Sequence, residues 1–237
     1  MNVKLQFIQK NFTKEDLFNI QKHTFESGLI HGLIGHNGAG KTTLLKILGG
    51  LDRDYKGTIQ YGHRDYSDEL IKKITYISQD PYMLNRTVYD NIAYPLKIRK
   101  MQADEIHKKT MEMLERFEIM YLKDRNARVL SAGEKERVSL ARGLVFEPRL
   151  ILLDEPTANI APDSVNELEQ IIVNYQRENK ATVIVVTHNL IQAIRLCDTL
   201  TVMKDKALHT TSKEKIFNSI EKLESVESLF GLSLMTK

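Results

Sequence analysis

Eight residues carry the most specific chemistry in the chain: Gly35-His36-Asn37-Gly38-Ala39-Gly40-Lys41-Thr42. They read G-x-x-x-x-G-K-T. Glycines at such spacing let backbone N–H groups turn inward around an anion with no Cβ in the way. Lys41 adds a cation that can reach β- and γ-phosphates, and Thr42 a hydroxyl suited to Mg²⁺. The apolar run Leu29-Ile30-His31-Gly32-Leu33-Ile34 precedes the loop, and the helical pattern Thr43-Leu44-Leu45-Lys46-Ile47-Leu48 follows it. A helix start adds roughly half a positive charge facing the same anion. The bland alternative is an ordinary glycine-rich turn capping a helix. Four specified positions matched over an eight-residue span, in a strand–loop–helix context, weigh against it.

Further polar residues follow apolar, strand-like runs. Asp154-Glu155 ends Leu150-Ile151-Leu152-Leu153, which reads as a strand buried on both faces. Thr187-His188 ends Val183-Ile184-Val185-Val186, and Gln79 follows Ile74-Thr75-Tyr76-Ile77-Ser78. Ser131-x-x-Glu134 spells a capping box at the start of a helix with Val138, Ala141 and Leu144 on one face. Strands alternating with helices predict an α/β fold with a mostly parallel sheet covered on both faces. Ligand sites in such sheets lie beyond the carboxyl ends of the strands. Gly35, Gln79, Asp154 and His188 are therefore expected along one edge.

The remaining elements frame that core. Val3, Leu5 and Phe7 alternate with Lys4 and Gln6 as a half-buried strand, and hairpin-like strands are expected between Lys10 and Gly28. Between about Pro81 and Gly133 the pattern becomes helical, with Ala103, Ile106, Thr110, Met113, Phe117 and Tyr121 in phase. The basic residues Lys97, Arg99, Lys100, Lys108 and Lys109 read as a solvated face. Cys197 falls on the apolar side of a helix and is assigned no chemistry. Lys213 to Lys237 reads as a polar helical tail.

Composition narrows the function classes. The 237 residues carry a net charge of +3, with 42% hydrophobic and 27% charged side chains and no Trp. That balance is too weakly basic to argue for nucleic acid. A single cysteine excludes an intrachain disulfide and fits a reducing compartment. No apolar run approaches the ~18–20 residues of a membrane span. The chain is expected to be cytoplasmic, with any membrane role reached through a partner.

Taken together, these motifs resemble the nucleotide-binding subunit of an ATP-binding-cassette (ABC) transporter, over about Lys4 to Thr210. The resemblance implies one ATPase domain spanning 1–237, with a catalytic core of 1–80 and 134–210, a helical subdomain inserted at 81–133 and a helical tail at 211–237. It further implies that the core is a P-loop ATPase fold with an N-terminal antiparallel β portion. The resemblance also implies ATP hydrolysis with Mg²⁺. The whole loop from Gly35 through Thr42, with Thr43, would hold phosphates. Thr42, Gln79 and Asp154 would hold or sense the metal. Glu155 would polarise the attacking water, with Lys41, Gln79 and His188 completing the catalytic set. Phe12, 29 positions before Lys41, is similar to the aromatic that stacks on adenine; a core Phe is the alternative. Ser131, Gly133 and Glu134 resemble the family signature, which meets the γ-phosphate bound to a second copy. A head-to-tail dimer is thereby implied, with two ATP molecules at the interface.

The expected partners are that second copy, integral membrane permease subunits and an extracytoplasmic solute-binding protein, with no nucleic acid. The stretch from Asp80 to Tyr94 sits where family members receive the membrane partner. The run from Thr187 to Ala193 and the Glu134 signature are similar to tungstate/molybdate-type subunits, so anion import is the expected function. The alternatives are a soluble ABC-type clamp or assembly factor, and a nucleotide switch without turnover. The latter is raised by Ala161, which stands where the family usually has an aspartate in its dimer-contact loop.

Overall fold

The computed structural model describes residues 1–11, 15–62, 64–65, 67–158 and 160–211. Phe12 and the tail beyond Thr211 lie outside the described residues. The elements run β1 (Val3–Asn11), β2 (Asp16–Phe25), β3 (Ile30–Ile34), α1 (Lys41–Leu48), β4 (Lys56–Tyr61), β5 (Arg64–Asp65), α2 (Asp68–Ile71), β6 (Ile74–Ile77), α3 (Val88–Ile98), α4 (Ala103–Arg116), α5 (Ala132–Leu144), β7 (Leu150–Asp154), α6 (Pro162–Asn179), β8 (Thr182–Val186), α7 (Leu190–Leu196), β9 (Thr199–Lys204) and β10 (Ala207–Thr211).

Two sheets form. The antiparallel one has the order β2-β1-β4-β5, and the larger one has the order β10-β9-β3-β8-β7-β6. Its five strands from β9 to β6 are parallel, and β10 closes the edge antiparallel to β9. The alternation of strand side chains explains why the central strands read as unbroken apolar runs. On β7, Ile151 and Leu153 enter a core shared with α3, α4, α5, α6 and α7, while Leu150 and Leu152 enter a second core shared with α1 and the antiparallel sheet. Each such buried side chain contributes roughly 1.5–3 kcal/mol. Lys10 ties β1 to the segment after α1. Its side chain is 3% exposed, and its ammonium donates to Asp52 Oδ1 at 3.1 Å and the Asp54 carbonyl at 2.6 Å.

The helical segment departs from its sequence pattern at two places. The apolar stripe of α4 stops at Phe117, because Glu118 turns left-handed (φ 54°) and the Ile119 N–H closes back on the Leu114 carbonyl. Ile119 and Leu122 then fill the core, and Tyr121 is 71% exposed instead of in phase. In the basic run, Arg99 is not simply solvated. Its guanidinium lies 3.7 Å from the centroid of the Phe146 ring and donates to the Pro95 carbonyl. Cys197 is fully buried, as expected. Among the described residues, no helix is long and apolar enough to cross a membrane.

Candidate functional site

The parallel register brings the ends of β3, β8, β7 and β6 to one edge of the sheet, where each yields to a polar loop. The first of these loops, 35–40, joins β3 to α1. Gly35 has φ 156°, and a Cβ there would meet the Met203 carbonyl oxygen at 2.5 Å, so only glycine lets the chain leave β3 beside β9. Gly38 has φ 82°, and no described residue lies within 4 Å of where a Cβ would stand. The backbone around it is thus free to receive a ligand. His36, Asn37 and Gly38 are exposed, whereas Ala39 is buried. The Lys41 ammonium donates to the Gly35 carbonyl at 2.8 Å and the His36 carbonyl at 3.0 Å, which holds it within its own loop. Burial lowers its pKa from the ordinary lysine value, against the upward pull of Glu155 and Asp154.

At the next residue, Thr42 Oγ1 donates to Asp154 Oδ1 at 3.1 Å. The other carboxylate oxygen of Asp154 accepts from the Tyr76 hydroxyl at 3.0 Å. Burial first, and then Asp154, raises the Tyr76 phenol above its ordinary pKa, so it stays a donor. A hydroxyl and a carboxylate converging in this way are hard oxygen donors that fit Mg²⁺. Tyr76 therefore joins the site, although its place inside an apolar strand gave no polar signal in the sequence.

Glu155 follows with φ 51°, an uncommon conformation for a side-chain-bearing residue. Its N–H still pairs with the Val186 carbonyl at 2.9 Å, and this turn aims its carboxylate towards the loop after β8. There His188 Nδ1 donates to Glu155 Oε2 at 2.8 Å. The exposed imidazole and the shielded carboxylate border a cleft of about 410 Å³, also lined by Thr157, Thr187, Gln192 and Arg195. Gln79 is exposed two residues beyond β6.

Ser131 and Glu134 form the capping box. The Glu134 N–H donates to Ser131 Oγ at 3.3 Å, and the Ser131 N–H donates to Glu134 Oε2 at 2.8 Å. At the same helix start, no described residue lies within 4 Å of where a Cβ on Gly133 would stand. Both bonds lie within the cap, and Ser131 and Ala132 are exposed at this end of α5. Thr43 is half-buried on α1. Ala161 is the N-cap of α6 and supplies no side-chain bond, and Pro162 begins the helix.

A family model described as ABC transporter matches residues 18–158. The chain is 43% identical over 204 residues to a tungstate uptake system ATP-binding protein, TupC, from Peptoclostridium acidaminophilum, covering 86% of this chain and 95% of that protein. It is 30% identical to a methionine import ATP-binding protein, MetN, of Clostridioides difficile, covering 96% of this chain and 75% of that one. Among solved structures, CbiO1 from Clostridium perfringens, part of the ABC transporter complex CbiONQ, superposes with a TM-score of 0.83 at 29% identity, covering 95% of this chain and 94% of that one. This chain belongs to the ABC transporter family as an ATP-binding subunit, an ATPase that uses ATP with Mg²⁺.

Proposed function

We propose that the chain powers import of a tungstate-like oxyanion through separate permease subunits. The observation that carries this reading is the 43% identity spanning nearly the whole of a tungstate uptake ATPase subunit. An extracytoplasmic binding protein delivers the solute, and the ATPase lies on the cytoplasmic face of the membrane as a head-to-tail dimer.

In this reading the 35–40 loop and Lys41 hold the phosphates, with Thr43 adding a contact. Thr42 and Asp154 hold Mg²⁺, with Gln79 at its margin. Bound Mg²⁺ neutralises charge on the phosphate oxygens. Glu155 accepts the proton of the attacking water, and His188, held by Glu155, faces the γ-phosphate. Ser131, Gly133 and Glu134 complete the site of the second copy. That role is supported by the exposed N-terminal cap of α5. Phe12 stacks on the adenine. Residues 81–133 act as the inserted helical subdomain between the core segments 1–80 and 134–210. The groove of about 350 Å³ that it shares with the core, lined by its Tyr82 and Tyr94 and by Arg142 and Phe146 of the core, receives the permease.

The test is tungstate accumulation, measured by elemental mass spectrometry, in host cells lacking this gene and in cells complemented with it. Loss on deletion and recovery with the wild-type chain, but not with Glu155→Gln, are expected. Unchanged tungstate together with loss of another solute would reassign the cargo.

A further inference from the structure

Beneath the Glu155–His188 contact lies a buried amide that none of the roles above uses. Gln192 is 3% exposed on the first turn of α7. Each polar atom of its side chain is engaged. Its Oε1 accepts from Thr187 Oγ1 at 2.7 Å, and its Nε2 donates to Thr157 Oγ1 at 2.6 Å and to Glu169 Oε1 at 3.0 Å. Thr187 immediately precedes His188, and Thr157 stands two residues after Glu155. Glu169, itself buried, is held from the far side by Arg195, whose Nε and Nη2 donate at 2.6 and 2.8 Å.

The chemistry allows only one orientation. Thr187 Oγ1 accepts from the Asn189 N–H at 3.0 Å, which leaves its own proton for the amide oxygen. An ionised Glu169 only accepts, so the amide nitrogen must face it. A flipped amide, or a glutamate in its place, would set two acceptors about 3 Å apart in a buried site.

We infer that Gln192 is a positioning residue that latches the loop carrying Glu155 to the loop carrying His188. It reaches under both loops and fixes their separation through two threonine hydroxyls, with Glu169 and Arg195 as its anchor. Its engagement is geometric and does not involve the phosphate loop. The latch rests on the reading of Glu155 and His188 as the hydrolytic pair, and the experiment separates the two.

Steady-state phosphate release by the purified full chain is measured for the wild type, Gln192→Leu, Gln192→Glu, Gln192→Glu/Glu169→Gln and Glu155→Gln. Gln192→Leu should lower kcat by about tenfold, the net worth of one such hydrogen bond appearing in the barrier. KM for ATP should stay within about twofold, because Lys41 and its loop are untouched. Gln192→Glu should lose more at about pH 8 than at about pH 6, since a proton shared with Glu169 restores the bridge. The reciprocal pair Gln192→Glu/Glu169→Gln should recover only part of that loss, because the Glu169 Oε1 facing Gln192 also accepts from Arg195 Nη2 at 2.8 Å, and an amide nitrogen there would set two donors together. Loss of activity in Glu155→Gln alongside unchanged kcat in Gln192→Leu overturns the latch alone. So does a Gln192→Glu variant with the wild-type pH profile. Wild-type turnover in Glu155→Gln overturns the hydrolytic pair, and the latch with it.

Discussion

Glu136 should make the stability of this chain fall as pH rises, and Glu136→Gln should remove that slope. The residue lies on α5, 3% exposed, and among the described residues its Oε1 has no hydrogen-bond partner. Burial first, and then the charge of Asp80, pushes its carboxyl up from the ordinary 4.5 to about 8. The folded chain therefore keeps a proton that the unfolded chain releases once the pH passes 4.5. The folded state binds more protons throughout this window, so the contribution to stability is complete below the lower value and is lost as the pH rises towards the upper one. At neutral pH the penalty against a group that never ionises is about 3 kcal/mol, and it grows by about 1.4 kcal/mol for each pH step within the window. Glutamine has nearly the same shape and no charge. For a chain of this length a gain of that size raises Tm by about 6–10 °C. The gain should shrink to about 3–5 °C near pH 5.5. An imperfectly paired amide in the same site would subtract a similar amount at every pH, so the slope is the informative quantity. The assay is thermal unfolding of both chains without nucleotide, from about pH 5.5 to about pH 8. Parallel profiles for the two chains would refute a neutral Glu136 and the burial argument behind it.

Two further substitutions probe the site and its support. Tyr76→Phe removes the donor at 3.0 Å from Asp154 Oδ2 while keeping the ring. The Mg²⁺ concentration for half-maximal ATPase activity should rise about tenfold with little change in Tm; an unchanged Mg²⁺ titration would mean that Tyr76 does not orient the carboxylate. Lys10→Met removes a cation that is 3% exposed from partners that still reach water, Asp52 at 23% and Asp54 at 96%. That solvent access brings the expected loss of stability down to about 1–2 kcal/mol, read from the urea midpoint. No shift would show that packing of the lysine stem, rather than its charge, fastens β1 to the end of α1.

What could be read from the sequence was whatever shows itself in local pattern. The 35–42 loop was legible because a glycine-rich turn between a strand and a helix is defined by near neighbours alone. β7 and β8 were legible because strands covered on both faces have no polar side, and their carboxyl ends placed Asp154, Glu155 and His188. The Ser131–Glu134 cap was legible because its two partners are three residues apart. Residues whose chemistry depends on distant partners escaped. Tyr76 looks like any strand tyrosine until β6 pairs with β7 and sets its hydroxyl against Asp154. Gln192 looks like a helix-face glutamine until α6 supplies Glu169 beneath it. Tyr121 was misplaced for the opposite reason: helical periodicity carries on through a sequence even where one left-handed residue, Glu118, has ended the helix.

The same contrast bears on Ala161. Its place at the start of α6 is where an aspartate would accept a backbone N–H, and an alanine N-cap costs about 1 kcal/mol. The loop before it does not depend on that cap alone. The Ile160 N–H closes on the Thr157 carbonyl at 3.2 Å, and the Ser164 N–H closes on the Ala161 carbonyl at 2.9 Å. Thr157 is in turn gripped by Gln192. The segment between Glu155 and α6 is thus held from inside the subunit, through a side chain on α7, at the position where a cap from its own helix is missing.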